Sequence, residues 1–159
     1  MRAAAERSLQ ARVELVEADA ATFVDRADIV MCVAASHAFG DAGAALQSLR
    51  ECVVPGGRVL FADGFWEQAP TPEQLKVIGE LPDRSALRAA AEDAGFRIEH
   101  DDVSTLAEWD AFEAAWRSGL ETSGDPEARA FAATRREQYE AVYRGALGFA
   151  WLVVVPRGG

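Results

Sequence analysis

The sequence predicts an α/β fold, a sheet of buried strands with helices on both of its faces. Residues 29–34 form a continuous apolar run rich in β-branched side chains, which is typical of a strand buried on both sides. Residues 58–62 form a second such run, and a helical segment lies between the two. Strand-like and helix-like segments then continue to alternate, which predicts helices packed on a sheet. Ligands of such sheets bind beyond the carboxyl ends of the strands.

The N-terminal part is expected to contain the end of a helix and one strand. Residues 2–10 have the composition of a helix, and apolar and acidic residues alternate over 13–17 as in a strand. An acidic loop containing Asp19 and Ala20 follows this strand.

The strand over 29–34 is followed by a helix that Asp41 caps. Its apolar residues are spaced so that they lie on one side: Leu46, Leu49, Cys52 and Val53. Pro55, Gly56 and Gly57 are expected to end it, and the strand over 58–62 follows. Residues 63–67 are predicted to form the loop at the carboxyl end of that strand.

The second half of the chain is predicted to add four helices and two strands. In order, these are helices starting after Thr71 and Asp83, a strand over 96–103, helices starting after Thr105 and Asp125, and a strand over 148–155. Aromatic residues recur at helical spacing in the last two helices: Trp109, Phe112, Trp116, Tyr139 and Tyr143. We interpret them as a core between the helices, with a cover over a ligand as the alternative.

Composition restricts the class of protein. The chain has 159 residues, half of them apolar, which fits one domain over 1–159. Its formal net charge of -10, without a Lys/Arg cluster, argues against nucleic acid as a partner. No apolar run approaches the roughly 20 residues that span a membrane, and we expect a cytoplasmic protein.

Metal sites and disulfides have little support. His100, Asp101 and Asp102 are adjacent, but neighbouring residues of a strand point to opposite faces, so we expect no metal there. Cys32 and Cys52 lie in apolar segments without the spacing of a zinc site, and we predict buried free thiols.

Three segments at the expected strand ends resemble the class I S-adenosylmethionine-dependent methyltransferases. They are residues 16–20, 28–40 and 49–60, the last containing the family's Pro-Gly-Gly turn. The resemblance covers almost the whole chain, including a closing strand over 150–155 that runs antiparallel to its neighbours in the family. It implies a Rossmann-like methyltransferase sheet, mostly parallel with an antiparallel C-terminal strand. The helices over 104–146 form a helical insertion in this sheet, for which a cover over the acceptor site is the alternative to a core between helices.

The resemblance assigns roles to residues at these strand ends. It implies S-adenosylmethionine as the cofactor, with the adenine near Asp19 and Ala20 and the methionine half along Ala34, Ala35 and Ser36. His37 is expected to face the methyl-transfer centre and is the candidate catalytic residue. A general base and a structural histidine both stay open for it, because alignment can supply much of the acceleration of methyl transfer. The remaining positions are expected to contact the methyl acceptor: Phe39, Gly64, Phe65 and Trp66.

One departure from the family changes the expectation. The glycine-rich turn that holds the cofactor and the acid that binds its ribose have no counterpart between Met1 and Val13, which predicts an incomplete sheet with unpaired strand edges. We expect a truncated chain, a strand that repositions, or a second chain that completes the sheet.

Two functions follow from these expectations. The first is methyl transfer to a small-molecule acceptor (EC 2.1.1), provided that the missing segment is restored or supplied in trans. The alternative is a non-catalytic methyltransferase remnant that acts as a folded or homodimeric interaction domain. A nucleotide-binding oxidoreductase would also need a glycine-rich first turn and fits the Pro-Gly-Gly junction less well.

Overall fold

A computed structural model describes residues 12–158, which form one four-stranded sheet. The strands lie in the order β1-β2-β4-β3. Their bounds are β1 Ala27–Val33, β2 Val53–Trp66, β3 Phe96–Val103 and β4 Leu147–Pro156. β1 pairs with β2 in parallel, whereas β4 is antiparallel to both β2 and β3. Three strands therefore share one direction and the C-terminal strand opposes them, which confirms the predicted mixed sheet.

Within residues 12–158, five α-helices connect the strands. Their bounds are α1 Ala42–Cys52, α2 Pro72–Ile78, α3 Arg84–Asp93, α4 Leu106–Glu121 and α5 Pro126–Gln138. Each begins after an acid or threonine whose side chain accepts a backbone N–H of the first turn, as the sequence predicted. Thr105 and Glu108 form a complete capping box at the start of α4. α5 continues into a π turn, Tyr139–Tyr143.

One face of the sheet packs against α1 and α3. Its largest fully buried side chains include Leu46 of α1, Leu87 of α3, and Phe61, Phe96 and Leu152 of the strands. Burial of a side chain of this size stabilises the fold by roughly 1.5–3 kcal/mol. This core fixes the positions of the strand ends at which ligands bind in α/β sheets.

On the other face, Trp109 of α4 meets Phe149 of β4 edge to face. β1 forms an edge of the sheet, and its outward side chains are exposed: Ile29 by 68%, Met31 by 63% and Val33 by 40%. An apolar strand at a sheet edge is a surface suited to pairing with a further segment or chain. The homodimer stays a prediction.

A second core joins α2, the π turn and the end of β2. It contains Trp66, Tyr139, Tyr143 and Leu147, so the core interpretation of the two tyrosines is confirmed. Phe112 and Trp116 differ from them because they remain exposed on α4. The aromatic residues of these helices therefore include a buried pair, the two tyrosines, and an exposed pair, Phe112 and Trp116.

Two sequence predictions of local structure are wrong. Residues 13–17 form an exposed segment without regular secondary structure instead of a strand, since no described strand pairs with them. Residues 63–66 continue β2 instead of forming a loop, because β4 pairs with them as far as Trp66 and Leu147. The helix predicted over 2–10 lies outside the described residues.

The Pro55, Gly56 and Gly57 segment forms an irregular start of β2. α1 ends at Cys52, earlier than predicted, and the pairing of β1 with β2 shifts between Ala27 and Ile29. Gly56 has a φ of +81°, a conformation that favours glycine. The segment is therefore an irregularity inside β2, which begins at Val53 directly after α1.

Candidate functional site

The candidate site lies where β1, β2 and β3 end, at one edge of the sheet. β1 leads into Ala34 and Ala35 and then into a short 3₁₀ turn, Ser36–Phe39, before α1 begins. β3 ends beside it at Val103, and β4 begins there because it runs in the opposite direction. This is the edge at which parallel α/β sheets bind their ligands.

Ala34 has an unusual backbone conformation at the end of β1. Its φ is +53°, and among the described residues it is the one non-glycine with positive φ. Its N–H donates to the carbonyl oxygen of Ala62 at 2.8 Å, which extends the pairing of β1 with β2 by one residue. A strained backbone of this kind, at about 1 kcal/mol or more, is common at ligand-binding sites. The hydrogen bond to Ala62 therefore stabilises a strained backbone conformation in the turn after β1.

His37 borders a small cleft of about 150 Å³ between the 3₁₀ turn and the end of β2. Ser36, Asp63 and Gly64 lie in the wall of the same cleft, and the His37 side chain is exposed. The structure thus brings three of the predicted site residues together. Phe39 differs, because it packs against the core under α1.

Asp63 is a polar residue of this cleft that the sequence analysis did not select. Its Oδ1 accepts the backbone N–H of Gly64 at 2.8 Å, whereas its Oδ2 is buried and has no hydrogen-bond partner in residues 12–158. A buried carboxylate oxygen without a donor is costly and marks a position where a ligand, ion or water can bind. An acid directly after the apolar run 58–62 was the signal in the sequence.

Asp19 and Ala20 lie in an exposed turn beside the candidate site. Ala20–Thr22 form one 3₁₀ turn, and Asp19 caps it by accepting the N–H of Ala21 at 3.0 Å. This turn packs against the 3₁₀ turn Ser36–Phe39 and against α1. The two predicted groups of cofactor residues are therefore neighbours in space.

Phe65 and Trp66 lie inside the protein. Phe65 is 1% exposed in the core under α1, and Trp66 is 3% exposed in the second core. The Nε1 of Trp66 donates to the carbonyl oxygen of Gly79 at 3.3 Å. Since the residues predicted to form a loop belong to β2, neither ring presents a surface to a ligand. Of the predicted acceptor residues from this segment, only Gly64 borders the cleft.

A larger pocket, which we call the aromatic pocket, opens on the face of the sheet under α4. Its volume is about 630 Å³, within the range of small-molecule sites. Its apolar wall includes Val33, Ala34, Val103, Trp109, Phe112, Phe149 and Trp151. Ala34 therefore belongs to the aromatic pocket, whereas Ser36 and His37 belong to the small cleft.

The described residues contain no group of three or more His, Cys, Asp or Glu side chains placed to hold a metal ion. No helix within residues 12–158 is both long enough and apolar enough to cross a membrane. Cys32 and Cys52 are buried free thiols, as predicted.

No protein-family model matches the chain. It is 27% identical over 172 residues to YjhP of Escherichia coli K12, an uncharacterised protein, covering 98% of this chain and 69% of YjhP. The crystal structure of YjhP superimposes with a TM-score of 0.76.

Two further solved structures are similar, both of S-adenosylmethionine-dependent methyltransferases in complex with S-adenosylhomocysteine. The protein from Geobacter sulfurreducens is 24% identical with a TM-score of 0.77, over 97% of this chain and 68% of that one. The protein from Thiobacillus denitrificans is 24% identical with a TM-score of 0.74, over 98% and 69%. The chain therefore has the fold of the class I methyltransferases.

Proposed function

We propose that this chain takes part in S-adenosylmethionine-dependent methyl transfer to a small-molecule acceptor. The observation that supports this most strongly is the match of 97% of the chain to a methyltransferase fold solved with S-adenosylhomocysteine. A fold hosts many functions, so the proposal also needs residues at the site that suit the cofactor and the reaction.

The turns at Asp19 and Ala34 suit the cofactor. Asp19 is exposed, and an ionised carboxylate is an acceptor that matches the exocyclic amine of adenine. The backbone at Ala20 would contact the same ring. Ala34, Ala35 and Ser36 are small, and the strained backbone at Ala34 lets main-chain atoms approach the methionine half closely. These two turns pack together, as one bound molecule would require.

His37 and Asp63 supply the polar groups of the small cleft. When bound, S-adenosylmethionine supplies an electrophilic methyl group that an acceptor lone pair takes in a direct displacement. Alignment provides much of the acceleration of such a reaction. We assign His37 to accept the proton that the acceptor loses, since a neutral imidazole has an unprotonated nitrogen that can accept it. Asp63 borders the same cleft and offers a buried acceptor for a donor of the substrate.

Calorimetric titration with S-adenosylmethionine and S-adenosylhomocysteine tests cofactor binding. We expect saturable binding at micromolar concentrations, and we expect Asp19→Ala to weaken it by roughly tenfold or more through loss of a charged hydrogen bond. Glu17→Ala is the matched control, because Glu17 is another exposed acid of the same segment. Absence of binding by a folded sample would overturn the proposal, and equal losses in both variants would remove the assignment of Asp19.

The role of His37 has a separate test. His37→Asn should leave cofactor affinity unchanged and lower the turnover of an acceptor found by screening about 100-fold, the usual contribution of a general base. His100→Asn is the control, since His100 is the other histidine of the chain and lies exposed on β3. Unchanged turnover in His37→Asn would mean that alignment alone drives the reaction.

A further inference from the structure

The aromatic pocket has features that the proposed cofactor contacts do not use. Trp109, Phe149 and Trp151 form a continuous row of rings, with centroids 5.8 Å apart in the first pair and 5.2 Å in the second, each pair edge to face. Phe112 extends the row from Trp109 at 5.8 Å. Ring faces carry negative electrostatic potential and attract cations.

The row of rings is held in place on the sheet. Phe149 and Trp151 belong to β4, and the Nε1 of Trp151 donates to the hydroxyl oxygen of Ser104 at 2.8 Å. All three rings of the row are only half-buried, so part of their surface faces the pocket. The Nε1 of Trp109 is buried without a partner in the described chain, so the polar edge of this ring is turned away from solvent.

The charges at the pocket are unbalanced toward negative. Asp102, Glu108 and Arg135 are the charged residues that border it. Arg135 is already neutralised, because its Nη2 donates to Oε1 of the buried Glu113 at 2.8 Å. Asp102 accepts the N–H of Val103 and lies 3.9 Å from the His100 imidazole, and its side chain is 71% exposed. Glu108 accepts from Thr105 in the capping box. Both carboxylates bond to neutral donors and keep their charge at the pocket.

From these observations we propose that the aromatic pocket binds an organic cation, a protonated amine or quaternary ammonium group on an apolar body. The ring faces attract the cation, the two carboxylates add Coulombic attraction, and the volume of about 630 Å³ admits a ligand the size of a metabolite. The aromatic pocket is separate from the small cleft of His37 and Asp63, where the proposed acceptor contacts lie. Binding of the cation is therefore independent of the proposed function.

Three matched probes test the proposal by calorimetry on the chain. Benzyltrimethylammonium carries the cation, neopentylbenzene is its neutral isostere, and benzenesulfonate carries a negative charge. We expect the ammonium to bind at least tenfold more tightly than the neutral isostere, and we expect no binding of the sulfonate. Equal affinity for the ammonium and the neutral probe would overturn the proposal.

A double variant tests the role of the two carboxylates. Asp102→Asn with Glu108→Gln removes both charges and keeps the shape, and glutamine preserves a capping box. We expect affinity for the ammonium to fall about fivefold or more. Glu92→Gln with Asp93→Asn is the control, since it removes the same charge from exposed positions of α3. An equal decrease of affinity for the ammonium in both double variants would show that the effect comes from the net charge of the protein, and it would overturn the proposed site.

The same titrations separate this proposal from the proposed function. Cation binding without S-adenosylmethionine binding would support the aromatic pocket and overturn the proposed function. S-adenosylmethionine binding without cation binding would support the proposed function and overturn the proposal for the aromatic pocket. Competition between the ammonium probe and S-adenosylmethionine for one site would overturn the proposal, because it would show that the rings bind the sulfonium of the cofactor.

Discussion

Gly148 of β4 lies opposite Phe65 of β2, and a Cβ atom added at Gly148 would lie 2.4 Å from Cζ of Phe65. No real Cβ atom makes so close a contact, so the Phe65 ring occupies the space that a side chain at 148 would need. The absence of a side chain at 148 is therefore what allows Phe65 to pack into the core at the end of β2.

Gly148→Ala should consequently destabilise the protein by about 2 kcal/mol, because overpacking of a filled core forces side chains and backbone to shift. Gly119→Ala is the control. Gly119 lies in α4, and a Cβ atom added there would point into open space, so alanine should stabilise the helix by up to about 1 kcal/mol. Urea denaturation followed by circular dichroism measures both. Destabilisation of the same size in the two variants would contradict the packing of Phe65.

The buried Glu113 of α4 joins α5 and the π turn. It is fully buried, accepts from Arg135 at 2.8 Å and is 3.4 Å from the hydroxyl of Tyr143. Glu113→Ala should cost roughly 2–4 kcal/mol, because it opens a cavity and leaves the hydroxyl of the buried Tyr143 without its acceptor. Glu121→Ala breaks an exposed pair with Arg136 instead and should cost less than about 1 kcal/mol. Similar losses in the two variants, measured by thermal unfolding, would show that the burial of Glu113 is irrelevant.

Asp110 predicts a pH dependence of stability. Hydrogen bonds from Arg144 and then Tyr139 lower the pKa of this carboxyl to about 2 from its usual 3.8. Its contribution to stability is therefore complete above the unfolded pKa and is lost as pH falls toward the folded value. Asp110→Asn should melt below the wild type at pH 7, and the gap between their melting temperatures should narrow steadily below pH 4. A gap that stays constant down to pH 3 would contradict the assigned pKa.

The two cysteines should be unreactive while the protein is folded. Burial raises the pKa of the Cys32 thiol, and the charge of Asp63 raises it further. Burial also raises the pKa of the Cys52 thiol. The Sγ of Cys52 donates to the carbonyl oxygen of Phe23. Since the thiolate is the nucleophile, Ellman's reagent at pH 8 should label neither until urea unfolds the chain. Ala89→Cys adds an exposed thiol on α3 as a positive control. Rapid labelling of the unmodified folded protein would contradict this environment.

Local patterns in the sequence predicted most of the secondary structure. The run over 29–34 and the caps at Asp41, Asp83 and Thr105 are each determined by a few neighbouring residues. The predictions that failed depend on distant partners. Residues 13–17 alternate as a strand does, but no described strand pairs with them, and β2 continues beyond Ala62 because β4 pairs with it.

In the candidate site, too, residues set by local patterns could be predicted from the sequence, and residues that depend on distant partners could not. Ser36 and His37 follow a strand directly, so their place at the sheet edge could be predicted from the sequence. Phe65 and Trp66 could not be placed, because their burial depends on Gly148 and on the π turn, both more than 70 residues further along the chain. The aromatic pocket was beyond prediction for the same reason, since its rings come from α4 and β4.

Asp63 gives the sharpest test of whether the small cleft is a site. Its Oδ2 is buried without a donor in the described chain, so Asp63→Asn should stabilise the protein by about 1 kcal/mol, because it removes a carboxylate that is poorly solvated there. If the acid serves a ligand, the same variant should bind or methylate the acceptor more weakly. Gain of stability with loss of function is the signature of a residue retained for activity. Asp41→Asn is the control, because Asp41 caps α1 in the same cleft and asparagine caps as well as aspartate. We expect this variant to keep both its stability and its affinity for the acceptor. If Asp63→Asn is less stable than the wild type, the carboxylate stabilises the fold. The buried carboxylate oxygen would then no longer be evidence that the cleft binds a ligand.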